Sequence, residues 1–418
     1  MIGLAAVLLA VVLVGPAQRG GSLGGLGPPA RCDGLPTVPG LADLGRSGSL
    51  GEMAEAVEGI RGRQFAGLPE PTYLPSSVFS EQVSEMPHFP EERARLTERV
   101  LARLGAIPQD YDLERELSEL AGTVIAGFYE PSTGDLVVRG RGAADGFSEM
   151  ERLTLVHELG HALTDQVVGF RDLEALAEDD EDAAAAYQAL VEGDAQLITE
   201  EYAAAALSLG DQVRLGFSIP FAPGADVPHY LRRSGSFPYI EGAEFVCRLY
   251  EEGGWDAVDA AYEGPPTSTA QVLFPDKYLE GRDSVDPADP GRPPGRWRHA
   301  AELAFGAADL LFLFEAPGGD RAQGIRNAES VARAWEGGEL HAWTRGDEVA
   351  LSLRLVTGRP ALTCDAMFEW YRRSFPEASQ GSSRTFHGEG QRARLRCDGS
   401  SIALGIAPVM SVARAASR

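Results

Sequence analysis

The sequence predicts an α+β fold, and three observations carry this prediction. Two long stretches, Glu149–Val168 and 183–207, show apolar residues at helical spacing or a high alanine content. Two pairs of β-rich runs each flank a short turn, which is typical of antiparallel hairpins. The chain has 418 residues, 44% of them hydrophobic, so it can bury one large core or two moderate ones.

The N-terminal half is expected to contain two helices, a hairpin and two long helices, in that order. Within residues 91–120 charged and apolar residues alternate at helical spacing, and Pro108 divides the stretch because proline interrupts a helix. Gly169 follows the first long helix and suits its C-terminus. The expected hairpin strands are 123–129 and 136–138, and the expected long helices are Glu149–Val168 and 183–207.

The C-terminal half is expected to mix short helices and strands, and it has no internal repeat. Gly253 and Gly254 separate two short helices, and a loop rich in Gly, Pro, Asp and Arg follows them. The apolar stretch 300–316 is interpreted as a buried helix. A helix and a β-rich tail close the chain. The expected ranges are 242–250 and 255–262 for the short helices, 281–297 for the loop, 340–344 and 349–356 for a second hairpin, and 365–374 for the last helix.

These elements divide the chain into four segments. Residues 1–20 are a signal peptide or an N-terminal anchor, and residues 21–89, which start rich in Gly and Pro, are a tether or N-terminal segment. Residues 90–280 hold the two long helices and form the expected core. Residues 281–418 form a C-terminal α/β region.

The N-terminus suggests export. Thirteen apolar residues within the first fourteen fit a signal peptide better than a bilayer span, which needs about 20 residues. Lys and Arg are absent before them, so a short membrane anchor or a misplaced start codon would give the same pattern. We expect a secreted or cell-envelope protein, with the N-terminus either cleaved or kept as a membrane tether.

The charge of the chain excludes one class of partner. Its formal net charge is −25, which repels phosphate backbones, so no nucleic-acid partner is expected. The acidity serves solubility or, alternatively, a preference for basic substrates.

Four cysteines suit two disulfides in an exported chain, and three pairings exist. Cys364 and Cys397 form the favoured pair because they bracket one C-terminal segment. The alternative is four separate buried thiols.

The sequence His157-Glu158-Leu-Gly-His161 lies within the first predicted long helix. Positions four apart share one helix face, about 6 Å from each other, so both imidazoles can bind one ion. Glu158 is placed to act as a general base on water that zinc has acidified. A chance match occurs in roughly one chain in a hundred of this composition, and the alternative is two surface histidines without a metal. We therefore predict one catalytic Zn²⁺ ion.

A catalytic zinc ion keeps three protein ligands and one open position, so a third ligand is needed. The next histidine after His161 is His229, far along the chain. Glu192 is the favoured third ligand because it lies in an apolar stretch of the second long helix, where an unpaired charge is costly. Asp194 and Glu200 are weaker candidates, and the alternative for Glu192 is an exposed helix position.

These motifs resemble the gluzincin metallopeptidases, whose pattern is His-Glu-x-x-His plus a glutamate on a following helix. The runs His-Glu-Leu-Gly-His-Ala-Leu-Thr-Asp-Gln and Ala-Leu-Val-Glu-Gly-Asp-Ala are also similar to a group of predicted exported bacterial peptidases. The resemblance covers roughly residues 120–370. It implies a gluzincin-like catalytic core with an active-site helix and a glutamate helix, followed by the mixed α/β region. It further implies that the strand near Phe128 and Tyr129 pairs with an extended substrate.

The resemblance departs from the thermolysin-like pattern at Gln196, where those enzymes have an acid four residues after the metal glutamate. Asp165 is a candidate to compensate by orienting a histidine, or else a surface residue at a helix end. His229, Tyr230 and Tyr239 are candidates for stabilising an oxyanion, or else packing residues.

The predicted function is hydrolysis of peptide bonds in a peptide or protein substrate, with His157, His161 and Glu192 as zinc ligands and Glu158 as the general base. The alternatives are a catalytically silent zinc-binding or scaffold protein of the cell envelope, and a zinc hydrolase that does not cleave peptides. The sequence makes no prediction of the oligomeric state.

Overall fold

The structure, a computed structural model, describes most of the chain. The described residues are 48–85, 91–116, 126–140, 147–208, 227–381 and 384–418, together with residues 32, 34, 35, 38, 40, 41 and 210. The predicted signal peptide or anchor at residues 1–20 lies outside them. No helix in the described ranges has both the length and the apolar character needed to cross a bilayer.

The fold is mixed α/β with two sheets, which agrees with the predicted α+β class. The small sheet has the strand order β1-β3-β2, and the large sheet has the order β4-β5-β6-β10-β9-β8-β7. The strands are β1 (Pro71–Leu74), β2 (Gly127–Glu130), β3 (Asp135–Arg139), β4 (Arg298–Ala304), β5 (Trp335–Arg345), β6 (Glu348–Thr357), β7 (Ser379–Gln380), β8 (Thr385–Gly388), β9 (Gln391–Asp398) and β10 (Ser401–Ala407).

Helices pack against both sheets, and one hydrophobic cluster contains buried residues from both halves of the chain. The α-helices are α1 (Leu50–Arg61), α2 (Ser76–Glu85), α3 (Glu91–Leu104), α4 (Glu149–Val168), α5 (Leu173–Asp179), α6 (Glu181–Ala206), α7 (His229–Glu263), α8 (Thr269–Leu273), α9 (Pro275–Leu279), α10 (Ala307–Glu315), α11 (Ala328–Arg333), α12 (Pro360–Ser374) and α13 (Met410–Ala416).

Helix α4 begins and ends where the sequence predicts. Ser148 and Glu151 form a reciprocal capping box at its N-terminus, and Gly169 follows its last residue with a positive φ of 72°. Helix α6 starts slightly earlier than predicted, because the Asp180 side chain accepts hydrogen bonds from the first free amides. Helix α6 packs against both α4 and α7, so these three helices form the scaffold of the candidate site.

Both predicted hairpins are confirmed, although residues 123–125 of the first predicted strand lie outside the described residues. Strands β2 and β3 pair antiparallel, with Phe128 opposite Val137, and β5 and β6 pair antiparallel around Gly346. In the small sheet β3 lies in the middle, so β2 has one strand neighbour among the described residues. This arrangement leaves β2 at a sheet edge that runs beside helix α4.

The prediction of one buried helix over 300–316 is wrong. Strand β4 occupies its first part and pairs antiparallel with β5, and helix α10 begins only after Gly306. A Cβ atom at Gly306 would lie 1.8 Å from a carboxylate oxygen of Asp182, so this position requires glycine. The periodicity of a short apolar run does not distinguish a strand from a helix, and the pairing with β5 decides the outcome.

The predicted division at Gly253 and Gly254 is confirmed, because both glycines have non-helical backbone angles and two helices meet there at a kink within α7. The kink falls at the predicted glycines, where Gly254 has a φ of 65°. Helix α7 starts far earlier than predicted, at His229, and includes Pro238. His229, Tyr230 and Tyr239 therefore lie on a helix.

Part of the segment predicted as a tether belongs to the core. Cys32 and Leu41 are buried, and helix α1 packs its buried residues against α4. Cys32 forms a disulfide with Cys247 of α7, which anchors this part of the chain to the interior. The predicted disulfide between Cys364 and Cys397 is also present and joins α12 to β9.

Candidate metal centre

Helix α4 places His157, Glu158 and His161 within little more than one turn. His157 and Glu158 have no exposed surface, and His161 is 5% exposed. The two imidazole rings lie 4.7 Å apart between centroids, at an interplanar angle of 88°. His157 and His161 therefore lie on one face of α4, as predicted, and this face is buried inside the protein.

Helix α6 supplies the third side chain. One carboxylate oxygen of Glu192 lies 3.2 Å from His157 Nε2 and 3.4 Å from His161 Nε2. Two ligand atoms of a tetrahedral zinc site, with bonds of about 2.0–2.1 Å, are separated by about 3.3–3.4 Å. The two separations from Glu192 match that spacing, and the ligand atoms of all three residues lie within 4.8 Å of one another.

The remaining polar atoms of the cluster also fit a cation. Within the described part of the chain, both nitrogens of His161, the second oxygen of Glu192 and both oxygens of Glu158 are buried without hydrogen-bond geometry to any partner. Buried polar groups are normally satisfied, and buried charges are paired or bind metals. A divalent ion held by His157, His161 and Glu192 would satisfy Nε2 of His161 and compensate the buried charge of Glu192.

Thr199 orients His157, a role that the sequence analysis missed. Its hydroxyl donates to the Ala195 carbonyl at 2.7 Å, so the same oxygen accepts from His157 Nδ1 at 3.3 Å. This contact keeps the proton on Nδ1 and leaves Nε2 free as a ligand. Thr199 lies two helical turns after Glu192, and this seven-residue spacing on one helix face was the available signal.

The charges of the cluster follow from burial and proximity. Burial opposes ionisation of Glu192, but the two histidines outweigh it and lower its pKa to about 2. Burial lowers the pKa of His157, which favours the neutral imidazole that binds metals. Burial raises the pKa of Glu158 to about 7, with His161 opposing this shift.

Strand β2 runs directly beside Glu158. A Cβ atom on Gly127 would lie 2.8 Å from the Thr154 side chain and 3.6 Å from the Glu158 side chain, so glycine allows this close approach. Burial dominates the raised pKa of Glu158, and the backbone of Tyr129 acts in the opposite direction. The edge strand β2 therefore lies directly beside Glu158, the candidate general base.

Asp165 does not orient a histidine. One of its oxygens accepts from the Tyr129 hydroxyl at 2.9 Å, and the other accepts from the Phe170 amide at 2.7 Å. The prediction that Asp165 supports the metal ligands is therefore wrong. Its carboxylate instead ties strand β2 to the end of helix α4.

Asp194 belongs to a separate buried network. One of its oxygens lies 3.1 Å from Arg61, Thr164 and Tyr262 alike. The Arg61 guanidinium also bonds to Asp259 at 2.6 Å. Burial lowers the pKa of Arg61, but these two carboxylates outweigh it and the net shift is upward. Asp194 therefore fixes helix α6 rather than joining the histidines.

The remaining candidates lie in different surroundings. Glu200 accepts a hydrogen bond from the Gln196 side chain at 3.1 Å. His229 bonds to Glu315 at 2.8 Å, and the Tyr230 hydroxyl donates to Asp309. Tyr239 is the aromatic candidate beside the cluster, with its ring centroid 6.1 Å from that of His157.

Fold and side chains together define a mixed α/β protein with a buried two-histidine, one-glutamate cluster that fits a divalent transition metal. Comparison of the chain with protein-family models, curated proteins and solved structures gave no match.

Proposed function

We propose that this protein is a zinc-dependent metallopeptidase of the gluzincin kind. The single observation that carries the proposal is the convergence of His157, His161 and Glu192 next to Glu158. Two histidines and a carboxylate form a known catalytic zinc set, with one position left open. A purely structural metal site would not need Glu158.

Each residue then has a distinct role. Zinc in this site supplies a Lewis acid that polarises a scissile carbonyl and acidifies water. His157, His161 and Glu192 hold the ion, and Thr199 orients His157. Glu158 accepts a proton from the attacking water and returns it to the leaving amine.

The substrate is proposed to be an extended peptide that adds to strand β2. An edge strand offers unpaired backbone groups to a segment of another chain, and pockets for alternate side chains give selectivity. Strand β2 passes close to Glu158 at Gly127, so a peptide paired there would run past the general base. Tyr239, beside His157, is the proposed oxyanion-stabilising group.

We also infer that the protein works outside the cytoplasm. Two disulfides join distant parts of the chain, between Cys32 and Cys247 and between Cys364 and Cys397. Disulfides form and persist in oxidising compartments. The apolar N-terminal sequence also indicates export.

A catalytically silent zinc-binding protein is the second candidate, and one observation favours it. Glu158 has no exposed surface, so a substrate reaches it only after surrounding groups move. In this candidate the zinc ion would stabilise the packing of α4 against α6, and Glu158→Gln would change no activity.

The deciding experiment compares zinc content and peptide cleavage in two variants of the full chain. Glu158→Gln should keep about one zinc at this centre but lose cleavage of a peptide library by several orders of magnitude, because glutamine cannot accept the proton. Glu192→Gln should lose zinc, and Glu200→Gln is the matched control that should keep both properties. Cleavage that continues at the wild-type rate after chelation and in the Glu158→Gln variant would rule out the proposed mechanism.

A further inference from the structure

A second group of histidine and carboxylate side chains lies on the large sheet, far along the chain from the first. His299 and Glu302 belong to the edge strand β4, and His341 belongs to the neighbouring strand β5. Their candidate ligand atoms all lie within 4.8 Å of one another. Nothing in the proposed peptidase function uses these residues.

A β-bulge brings the group together. Residues three apart in a regular strand point to opposite faces of a sheet. The register of β4 against β5 shifts between His299 and Ala301, so His299 is opposite Trp343 and Glu302 is opposite His341. Because Trp343 and His341 lie two apart on β5, all four side chains share one face. The β-bulge therefore places His299 and Glu302 of the same strand on one face, where both can bind one ion.

The atoms have ligand-like spacing. His299 Nε2 lies 3.4 Å from His341 Nδ1, and that nitrogen lies 3.7 Å from a carboxylate oxygen of Glu302. These separations are close to the distance of about 3.3 Å between ligands in tetrahedral zinc sites. Both His299 and Glu302 are exposed, so an ion from solvent reaches them directly.

Glu339 provides an independent indication that His341 is placed to bind a metal ion. Its carboxylate lies 3.1 Å from Nε2 of His341, which places the histidine proton on that nitrogen. Nδ1 of His341 then has its lone pair directed at His299 and Glu302. A carboxylate that holds the far nitrogen of a histidine is the usual companion of a metal ligand.

The surroundings attract cations. The cleft beside the group is lined by carboxylates that include Asp179, Asp286, Glu302 and Glu339. A cleft lined by one sign of charge raises the local concentration of the opposite ion.

We propose that His299, Glu302 and His341 bind a second divalent transition-metal ion, with zinc as the test ion, and that this ion clasps the edge strand β4 to β5. Two imidazoles and a carboxylate select zinc and its neighbours over calcium and magnesium. The site is independent of the peptidase centre, since it shares no residue with it.

The test measures zinc stoichiometry by equilibrium dialysis of the full chain. His299→Ala and Glu302→Gln should each bind one zinc ion fewer than wild type, or bind that ion at least tenfold more weakly. His387→Ala removes an exposed histidine on β8 and is the matched control that should keep wild-type stoichiometry. Glu192→Gln should lose only the ion of the proposed peptidase centre. The ion bound by His299, Glu302 and His341 can then be measured separately, so a failure of either proposal is distinguishable from a failure of the other.

Hydrogen exchange gives a second measurement that does not depend on stoichiometry. Zinc should slow exchange of the β4 amides in wild type and in His387→Ala, and it should have no such effect in His299→Ala. Equal zinc uptake and equal β4 protection in wild type, His299→Ala and Glu302→Gln would overturn the proposal.

Discussion

Gly193 and Gly242 bring the backbones of helices α6 and α7 into direct contact. A Cβ atom on Gly193 would lie 2.2 Å from the carbonyl carbon of Gly242, a distance that real Cβ atoms do not adopt. Gly193 stands between Glu192, the candidate ligand, and Asp194, the partner of Arg61. Gly193 and Gly242 therefore set how closely α6 packs against α7, and this packing positions Glu192 relative to the two histidines.

We expect Gly193→Ala to separate α6 from α7 and to displace Glu192. Overpacking of this kind costs about 1–3 kcal/mol of folding free energy, which outweighs the gain of about 0.5–1 kcal/mol from replacing a helical glycine. Zinc affinity should fall as well. Urea denaturation and competition with a chromogenic chelator measure the two effects.

Gly51→Ala is the matched control, because Gly51 lies on helix α1 with nothing within 4 Å of an added Cβ atom. It should leave stability unchanged or raise it slightly, and zinc affinity should stay at the wild-type value. If Gly193→Ala also behaves in this way, the close contact does not position Glu192.

Local signals account for the part of the site that the sequence predicts. Helix α4 has the predicted bounds because Ser148, Glu151 and Gly169 act within one turn of its ends. The clustering of Glu192 with the histidines follows from the cost of a charge in an apolar stretch. The mixed α/β class follows from hairpins and long helices with clear periodicity.

Contacts between distant residues account for what the sequence does not predict. Strand β4 depends on pairing with β5, and an apolar run carries no sign of that partner. The buried position of Cys32 depends on a disulfide to a residue 215 positions away. Helix geometry leaves Asp165 as either a partner of a histidine or a surface residue, and its hydrogen bond from Tyr129 of another element is not visible in the sequence.

Thr199→Val should weaken zinc binding by roughly 10–100-fold, the usual effect of losing a group that orients a metal ligand. Valine has a similar shape but cannot accept a hydrogen bond from His157 Nδ1. Thr199→Ser retains the hydroxyl and should keep near-wild-type affinity. Equal zinc affinities for the valine and serine variants would show that the hydroxyl has no such role.

Arg61→Met should destabilise the protein by about 3–5 kcal/mol, because it leaves the buried carboxylate of Asp194 without its cation. Adding Asp194→Asn should recover part of this loss, since the uncompensated charge is then gone. A double-mutant cycle by chemical denaturation measures the coupling. Additive effects of the two changes would contradict a direct interaction through this ion pair.

Reduction or replacement of the Cys364–Cys397 disulfide should lower stability by about 4 kcal/mol, the chain-entropy value for a closed loop of 33 residues. The double variant Cys364→Ser/Cys397→Ser should show this loss under oxidising conditions. Oxidised wild type should not show it, and reduction of wild type should lower stability further because it also breaks the Cys32–Cys247 disulfide. Peptide mapping without reductant should recover both cystine peptides, and free thiols at these positions would contradict the pairing.

Asp182 links the glutamate helix to the C-terminal region. Its two oxygens accept hydrogen bonds from the Thr269 amide at 3.0 Å and the Thr269 hydroxyl at 2.6 Å. Burial raises the pKa of Asp182 to about 6, and Asp309 and Asp180 add to the shift while Thr269 opposes it. The folded protein therefore holds this proton to a higher pH than the unfolded chain does.

This difference predicts the direction of a pH effect on stability. The stabilising contribution of protonated Asp182 is complete below the unfolded pKa of about 3.9 and is lost as pH rises through about 6. A shift of about two units corresponds to about 3 kcal/mol at most. Asp182→Asn mimics the neutral side chain and does not titrate, so the free energy of unfolding of wild type relative to this variant should fall between pH 4 and pH 7. Chemical denaturation of both proteins across that range measures the difference, and a constant or rising value would show that Asp182 is not a buried group with a raised pKa.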